Sequence, residues 1–128
     1  MLFRSKWLFL DDFRAIDDDF ILIHRSNRRI NPSYNYEKII KENKNVSFLV
    51  CNNTDLYLDG YKIFRPSNIK EMAVIISKSN LFIGNQSAPL ALASSLDVPR
   101  LAVLDLDFNN YIFYENESKY SNNIKCFI

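Results

Sequence analysis

The sequence has almost no excess charge of either sign and few of the residues that build metal sites or disulfide frameworks. Its 16 basic and 15 acidic side chains leave a formal net charge of +1, so a nucleic acid or an anionic membrane would need a local basic patch. His24 is the only histidine, which excludes a metal site built from two histidines. Two cysteines, Cys51 and Cys126, are too few for a disulfide framework and favour a reducing compartment. We expect no metal ion, no cofactor and no nucleic-acid partner.

Long hydrophobic runs are also missing. A helix that crosses a bilayer needs about 20 consecutive, mainly apolar residues, and no stretch of this chain approaches that length. The apolar opening at residues 1–10 is interrupted by Arg4 and Lys6, which argues against a secretory signal. These absences predict a cytoplasmic protein with no transmembrane segment.

The sequence does contain enough apolar residues for a folded core. They make up 48% of its 128 residues, a composition typical of one globular domain rather than of a disordered chain. Short, continuously apolar runs predict five buried strands, at residues 20–24, 46–51, 61–64, 81–83 and 101–104.

Helical patterns alternate with these strands. Ile69, Met72, Ala73 and Ile76 recur at the spacing of one helix face, residues 34–43 carry a narrower apolar stripe, and residues 52–60 fit either a short helix or an irregular crossing. The alternation predicts an α/β fold, an open, doubly wound, Rossmann-like parallel sheet of about five strands. In the common strand order 3-2-1-4-5, the first and fourth strands are neighbours.

The pattern divides the chain into three parts. Residues 1–19 are a lead-in or interdomain segment, in which Trp7 and Phe9 are candidates for an interdomain contact. Residues 20–105 form the Rossmann-like domain. Residues 106–128 show no regular spacing of apolar residues, and we expect them to pack back on that domain.

Ligands of such sheets bind beyond the carboxyl ends of the strands, where the strand order reverses. One loop at this point, residues 25–33, holds Arg25, Ser26, Arg28 and Arg29. Guanidinium groups bind phosphate bidentately, so Arg25, Ser26 and Arg28 are candidate ligands of a diphosphate. A solvated, charged loop is an equal alternative.

The second loop at this point joins the fourth strand to a helix. Ser87 is a favourable N-cap and Pro89 lies in the first helical turn, so free N–H groups there could bind phosphate. A structural turn and cap is the alternative. The candidate ligands here are Asn85, Gln86, Ser87 and Ala88, with Pro66 and Ser67 after the third strand as candidates for a nucleoside.

Residues 84–93, GNQSAPLALA, resemble the GNDSGPxHLA signature of the heptosyltransferase-like glycosyltransferases (glycosyltransferase family nine). Three positions depart from it, with Gln86 in place of Asp, Ala88 in place of Gly and Ala91 in place of His. The positions that agree are Gly84, Asn85, Ser87, Pro89, Leu92 and Ala93. The resemblance implies the C-terminal, nucleotide-sugar-binding domain of a two-domain GT-B architecture, with inverting, metal-independent transfer from a nucleoside-diphosphate sugar.

In that family the catalytic base belongs to the N-terminal, acceptor-side domain. We therefore expect this chain to be the donor-binding half of a glycosyltransferase, inactive without an acceptor-side domain or partner chain, and we assign it no catalytic residue. His24 is expected to be a packed core histidine. The alternative is a non-catalytic, degenerate α/β nucleotide-binding or interaction module, which the changes at Gln86, Ala88 and Ala91 favour.

Overall fold

The computed structural model of the chain describes residues 19–107, 111–117 and 119–128. Apart from Asp19, the predicted lead-in segment with Trp7 and Phe9 lies outside the described residues.

Strands and helices alternate along the described chain as predicted, except that β2 is followed directly by β3. Its strands are β1 Ile21–His24, β2 Val46–Leu49, β3 Lys62–Phe64, β4 Leu81–Asn85, β5 Arg100–Val103 and β6 Ile124–Phe127. Its helices are α1 Tyr36–Glu42, α2 Ile69–Lys78, α3 Ala88–Ser95 and α4 Tyr111–Glu117. The strands form one sheet in the order β3-β2-β1-β4-β5-β6, and every neighbouring pair is parallel. The predicted open parallel α/β fold is confirmed, including the pairing of β1 with β4.

The structure adds a sixth strand to the five that were predicted, and it resolves the ambiguous segment between β2 and β3. The C-terminal segment supplies α4 and a sixth strand, β6, which pairs with β5 in the register Arg100 to Ile124. Residues 50–61, between β2 and β3, cross without a helix. They return to β1 through an isolated antiparallel bridge between Leu56 and Arg25.

Helices cover both faces of the sheet, which explains why its central strands are apolar throughout. On one face α1 packs through Tyr36 and Ile40 against Ile23, Phe48 and Ile83. On the other face α2, α3 and α4 pack on a larger cluster that includes Leu22, Phe82, Leu90, Ala102 and Tyr114. No helix among the described residues has the length and apolar character needed to cross a membrane.

Local signals in the sequence explain where α2 begins. The Asn68 side chain accepts a hydrogen bond from the Glu71 amide at 2.8 Å, and the Glu71 carboxylate accepts one from the Ser67 amide at 2.8 Å. This reciprocal capping satisfies N–H groups that a helix start leaves unpaired.

Gly84 brings the ends of β1 and β4 close together. It lies opposite His24 in the register of the two strands. A Cβ atom at position 84 would lie 2.8 Å from Cε2 of Phe82 and 3.4 Å from the His24 carbonyl oxygen. Glycine therefore lets β4 end beside His24 without displacing the buried Phe82 ring.

Candidate functional site

A cavity of about 450 Å³ opens at the carboxyl ends of β1 and β4, where the strand order reverses. We call it the carboxyl-edge cavity. It receives residues from the loops after β1, β2 and β4 and from the start of α3. Its lining includes His24, Ser26, Arg28, Arg29, Cys51, Asp55, Met72, Gln86, Ser87, Ala88, Pro89, Ala91 and Tyr114.

Three of these side chains form a chain of hydrogen bonds that the sequence did not predict. His24 Nε2 lies 3.0 Å from Asp55 Oδ2, and His24 Nδ1 lies 3.2 Å from Ser87 Oγ. His24 and Asp55 are 2% and 5% exposed, whereas Ser87 is half-buried on the cavity wall. The predicted burial of His24 is confirmed, but its ring connects two polar side chains instead of packing only among apolar ones.

The surroundings of Asp55 determine how the imidazole carries its proton. Asp55 Oδ2 also accepts hydrogen bonds from the amides of Cys51 at 2.8 Å and Asn52 at 3.3 Å. Burial lowers the pKa of His24, although the charge and the hydrogen bond of Asp55 act to raise it. A neutral imidazole therefore donates from Nε2 to the Asp55 carboxylate, and its Nδ1 lone pair faces the Ser87 hydroxyl, whose one proton is shared between Nδ1 and the Asn85 carbonyl.

Cys51 adds a possible metal ligand to this cluster. Its sulfur and the ligand atoms of His24 and Asp55 all lie within 4.8 Å of one another. Burial and the neighbouring Asp55 charge raise the pKa of the Cys51 thiol to about 11, so at neutral pH it is protonated. Because Asp55 Oδ2 already accepts three N–H groups, the carboxylate fits the role of orienting His24 better than that of a metal ligand.

The Ser87 hydroxyl is not used as a helix cap. Ser87 occupies the N-cap position of α3, yet its side chain makes no capping hydrogen bond. Its oxygen lies between His24 Nδ1 and the carbonyl oxygen of Asn85, at 3.2 and 3.1 Å. The first backbone hydrogen bond of α3 runs from the Ala91 amide to the Ser87 carbonyl at 3.1 Å. The amides of Ala88 and Leu90 precede it and have no intrahelical acceptor.

The Asn85 amide holds the arginine-bearing loop in place. Its Oδ1 accepts from the Ser26 amide at 3.0 Å, and its Nδ2 donates to the carbonyls of Ser26 at 3.1 Å and Arg28 at 2.8 Å. Asn85 is 3% exposed and does not line the cavity. Its contacts indicate a positioning role for the side chain rather than direct contact with a ligand.

Gln86 does the same for the loop after β5. Its Oε1 accepts from the Asp105 amide at 3.0 Å, and its Nε2 donates to the Asp105 carbonyl at 3.4 Å. Gln86 does line the cavity, but it is 2% exposed. The two adjacent amides thus connect the loops on either side to the end of β4.

The cavity brings together some predicted ligands and not others. Arg25 lies outside the lining and stacks on the Tyr36 ring, with its guanidinium carbon 4.2 Å from the ring centroid. Pro66 and Ser67 also lie outside the lining, and the Ser67 amide is used in capping α2. The predicted residues that do line the cavity are Ser26, Arg28, Gln86, Ser87 and Ala88.

Sequence reasoning missed Asp55, Cys51 and Met72. Asp55 lies 31 residues from His24, in the crossing that could not be assigned from its pattern. One signal was available, because the loops after β1, β2 and β4 all emerge at the same edge of a parallel sheet. A polar residue soon after β2 was therefore a candidate neighbour of His24.

A smaller depression of about 310 Å³ lies at the opposite edge, near the amino ends of β2 and β3. It is lined by residues that include Lys44, Ser47 and Lys62. Ligands of open parallel sheets bind at the carboxyl edge, which makes the carboxyl-edge cavity the candidate site.

A scan against models of protein families found no match, and no curated protein matches the chain.

Proposed function

We propose that the carboxyl-edge cavity binds the diphosphate of a nucleoside-diphosphate sugar. The observation that carries the proposal is the convergence of the α3 N-terminus and the arginine-bearing loop on one cavity. Its volume of about 450 Å³ lies within the range of ligand cavities, roughly 300 to 1,000 Å³.

The charges around the cavity support an anionic ligand. Free amides at a helix start carry partial positive charge and bind phosphate oxygens. Arg28, exposed at the cavity wall, and Arg29 add two guanidinium groups on the side of the β1 loop. A diphosphate placed between them would contact cationic or N–H groups on both sides, and Asn85 and Gln86 would hold the surrounding loops.

On this basis, and on the resemblance at residues 84–93, we propose that the chain is the donor-binding half of a heptosyltransferase-like glycosyltransferase of the GT-B architecture. Transfer would be inverting and metal-independent, would take place in the cytoplasm, and would need an acceptor-side domain or partner chain. The non-catalytic module, the alternative from the sequence, retains the fold and lacks the transfer.

Calorimetric titration of the chain with a panel of nucleoside diphosphates tests the proposal. Arg28→Ala should weaken the binding of the preferred nucleotide about tenfold or more, because a charge-assisted hydrogen bond contributes roughly 1.5–3 kcal/mol. Ser87→Leu, which places a bulky side chain at the helix start, should weaken it further.

Arg65→Ala is the matched control. Arg65 is also exposed, but it lies over the Tyr57 ring, 5.3 Å from its centroid, and does not line the cavity. The Arg65→Ala variant should bind the preferred nucleotide with the same affinity as the unaltered chain. The absence of binding by every nucleoside diphosphate, or equal affinities for Arg28→Ala and Arg65→Ala, would contradict the proposal.

A further inference from the structure

We propose that Ser87, His24 and Asp55 form a nucleophilic triad that cleaves a carboxylic ester bound in the carboxyl-edge cavity. This activity goes beyond the proposed binding of a nucleoside-diphosphate sugar and does not depend on it.

The first support is the position of the Ser87 hydroxyl. A serine at an N-cap ordinarily accepts a hydrogen bond from an amide of the first helical turn, and Ser87 makes no such bond. Its oxygen lies instead 3.2 Å from His24 Nδ1 and at the wall of the cavity. The hydroxyl contacts the buried imidazole and the Asn85 carbonyl, at 3.1 Å, on one side and open space on the other. When its proton turns from the carbonyl to Nδ1, it is placed as a nucleophile next to its base.

The second support is the arrangement of the base. The Asp55 carboxylate accepts from His24 Nε2 at 3.0 Å and is itself fixed by the amides of Cys51 and Asn52. This fixes the ring orientation and leaves Nδ1 free to take a proton from Ser87. It also stabilises the imidazolium that forms when the proton has moved, which is the role of the acid in a serine triad. Asp55 is therefore a positioning residue.

The third support is a donor for the developing oxyanion. Ala88 follows Ser87 directly, and its amide precedes the first hydrogen bond of α3. In hydrolases whose nucleophile lies between a strand and a helix, the amide after the nucleophile contributes to the oxyanion hole. Here β4 ends at Asn85 and α3 begins at Ala88, so Ser87 occupies the corresponding place between them.

The lining indicates the class of ester. Met72, Pro89 and Ala91 form an apolar part of the wall, which suits an acyl group. Arg28 and Arg29 lie on the side of the β1 loop and favour an anionic group elsewhere in the molecule. We therefore infer a carboxylic ester that carries an anionic group.

The reaction runs in two balanced steps. Ser87 Oγ attacks the ester carbonyl carbon while its proton moves to His24 Nδ1. The bond to the alkoxide oxygen then breaks, and that oxygen takes the proton from Nδ1 and leaves as the alcohol. Water next attacks the acyl-serine and gives one proton to Nδ1. Collapse of this second intermediate releases the carboxylic acid, and Ser87 recovers its proton from Nδ1.

An alkyl fluorophosphonate probe tests the proposal on the full chain, with mass spectrometry to locate the adduct. Ser87 Oγ should form a bond to phosphorus as fluoride leaves, and the adduct should appear on the peptide that contains Ser87. Ser87→Ala should give no adduct, whereas Ser95→Ala should react at the rate of the unaltered chain. Ser95 is an exposed serine of the same helix whose hydroxyl donates to the Ala91 carbonyl at 3.2 Å.

The histidine is tested with His24→Gln, whose labelling rate should fall about 100-fold or more, the typical contribution of a general base. If circular dichroism shows this variant to be unfolded, the pH dependence of labelling in the unaltered chain decides. The rate should rise with pH through one ionisation with a midpoint below 6.5. The environment of the His24 imidazole in this pH experiment consists of the polar and charged groups that face it or line the cavity around it. These are Asp55, Cys51, Ser87, Arg28, Arg29 and Tyr114.

The triad would be overturned if the folded chain gave no adduct or if the adduct persisted in Ser87→Ala. It would also be overturned if a folded His24→Gln reacted at an unchanged rate. A labelling rate that does not change with pH would do so where His24→Gln is unfolded. The outcome can be told apart from that of nucleotide binding, because labelling of Ser87 by the fluorophosphonate needs no nucleotide. Calorimetry on Arg28→Ala, which alters no member of the triad, tests the nucleotide site separately.

Discussion

At the scale of single residues, the buried imidazole of His24 determines how the fold responds to acid. Burial lowers the pKa of His24 in the folded chain, while in the unfolded chain it has its ordinary value near 6.5. Below pH 6.5 the unfolded state therefore binds more protons, so its free energy falls relative to that of the folded state. The stabilisation by a neutral His24 is complete above pH 6.5 and is lost as the pH falls from there towards the folded pKa.

We expect the free energy of unfolding of the unaltered chain to fall more steeply between pH 6.5 and pH 5 than that of His24→Gln. Urea denaturation of both proteins at intervals of half a pH unit measures the two slopes. Parallel curves would show that His24 has the same pKa in the folded and unfolded states.

Cys51 provides a second prediction at this scale. Its pKa of about 11, compared with a usual value of 9.0, results first from burial and then from the Asp55 charge. Because only the thiolate is alkylated, iodoacetamide at pH 8.5 should modify Cys51 more slowly in the folded chain than in urea, by roughly tenfold or more. Cys126→Ser serves as the background, so that a single thiol is followed. Asp55→Asn in this background should raise the folded rate, and equal rates in the folded chain and in urea would contradict the prediction.

At the scale of elements, Arg100 connects β5 to the C-terminal segment. Its side chain is buried, at 2% exposed, and its guanidinium pairs with Glu117 of α4. The same group donates to the Val98 carbonyl at 3.0 Å and pairs with Asp97 at 3.3 Å. Asp97 also accepts from the Ser121 hydroxyl at 2.8 Å. The first residue of β5 therefore fixes both α4 and the chain that leads into β6.

Arg100→Ala should lower the free energy of unfolding by about 3 kcal/mol or more, because it leaves Glu117 partly buried without its cation. Urea denaturation measures the change. The control is Arg65→Ala, at an exposed arginine, for which we expect a change of about 0.5 kcal/mol or less. A loss of less than about 1 kcal/mol for Arg100→Ala would show that the pair contributes little.

A helix or strand could be predicted when the residues that define it are close together in the sequence. The start of α2 could be predicted because Asn68 and Glu71 are neighbours in the sequence, and one helix face is apolar. By contrast, β6 could not, because only Ile124 of its four residues is buried and Lys125 is exposed. An edge strand of this kind is defined by its pairing with β5, which the local sequence does not encode.

For the site, the sequence predicts Ser87 as a candidate ligand at a helix start, whereas it predicts His24, at the end of the first strand, as a packed core histidine. Their proximity follows from the adjacency of β1 and β4, which the strand pattern did predict. The sequence could indicate only that some polar residue soon after β2 lies near His24. That this residue is Asp55 depends on the path of an irregular crossing. The sequence predicts Asn85 and Gln86 as ligands, but it does not show that their side-chain amides hydrogen-bond to neighbouring backbone groups.

At the scale of the whole molecule, the strand order makes β1 the centre of the sheet although it is the first described strand. It pairs with β2 on one side and with β4 on the other. Ile21 lies opposite Val46 of β2 and opposite Leu81 of β4. Along the chain, β4 is therefore much farther from β1 than β2 is.

This asymmetry has a consequence for synthesis on the ribosome. A nascent chain that has emerged as far as α2 contains β1, β2 and β3 but not the other neighbour of β1. The free edge of β1 is then a row of unpaired amides and carbonyls on an apolar strand, the kind of template on which foreign strands add. The arrival of β4 covers this edge of β1 and, in the same event, brings Ser87 to His24. The edge of β1 is thus covered by the same strand that carries Ser87 to His24.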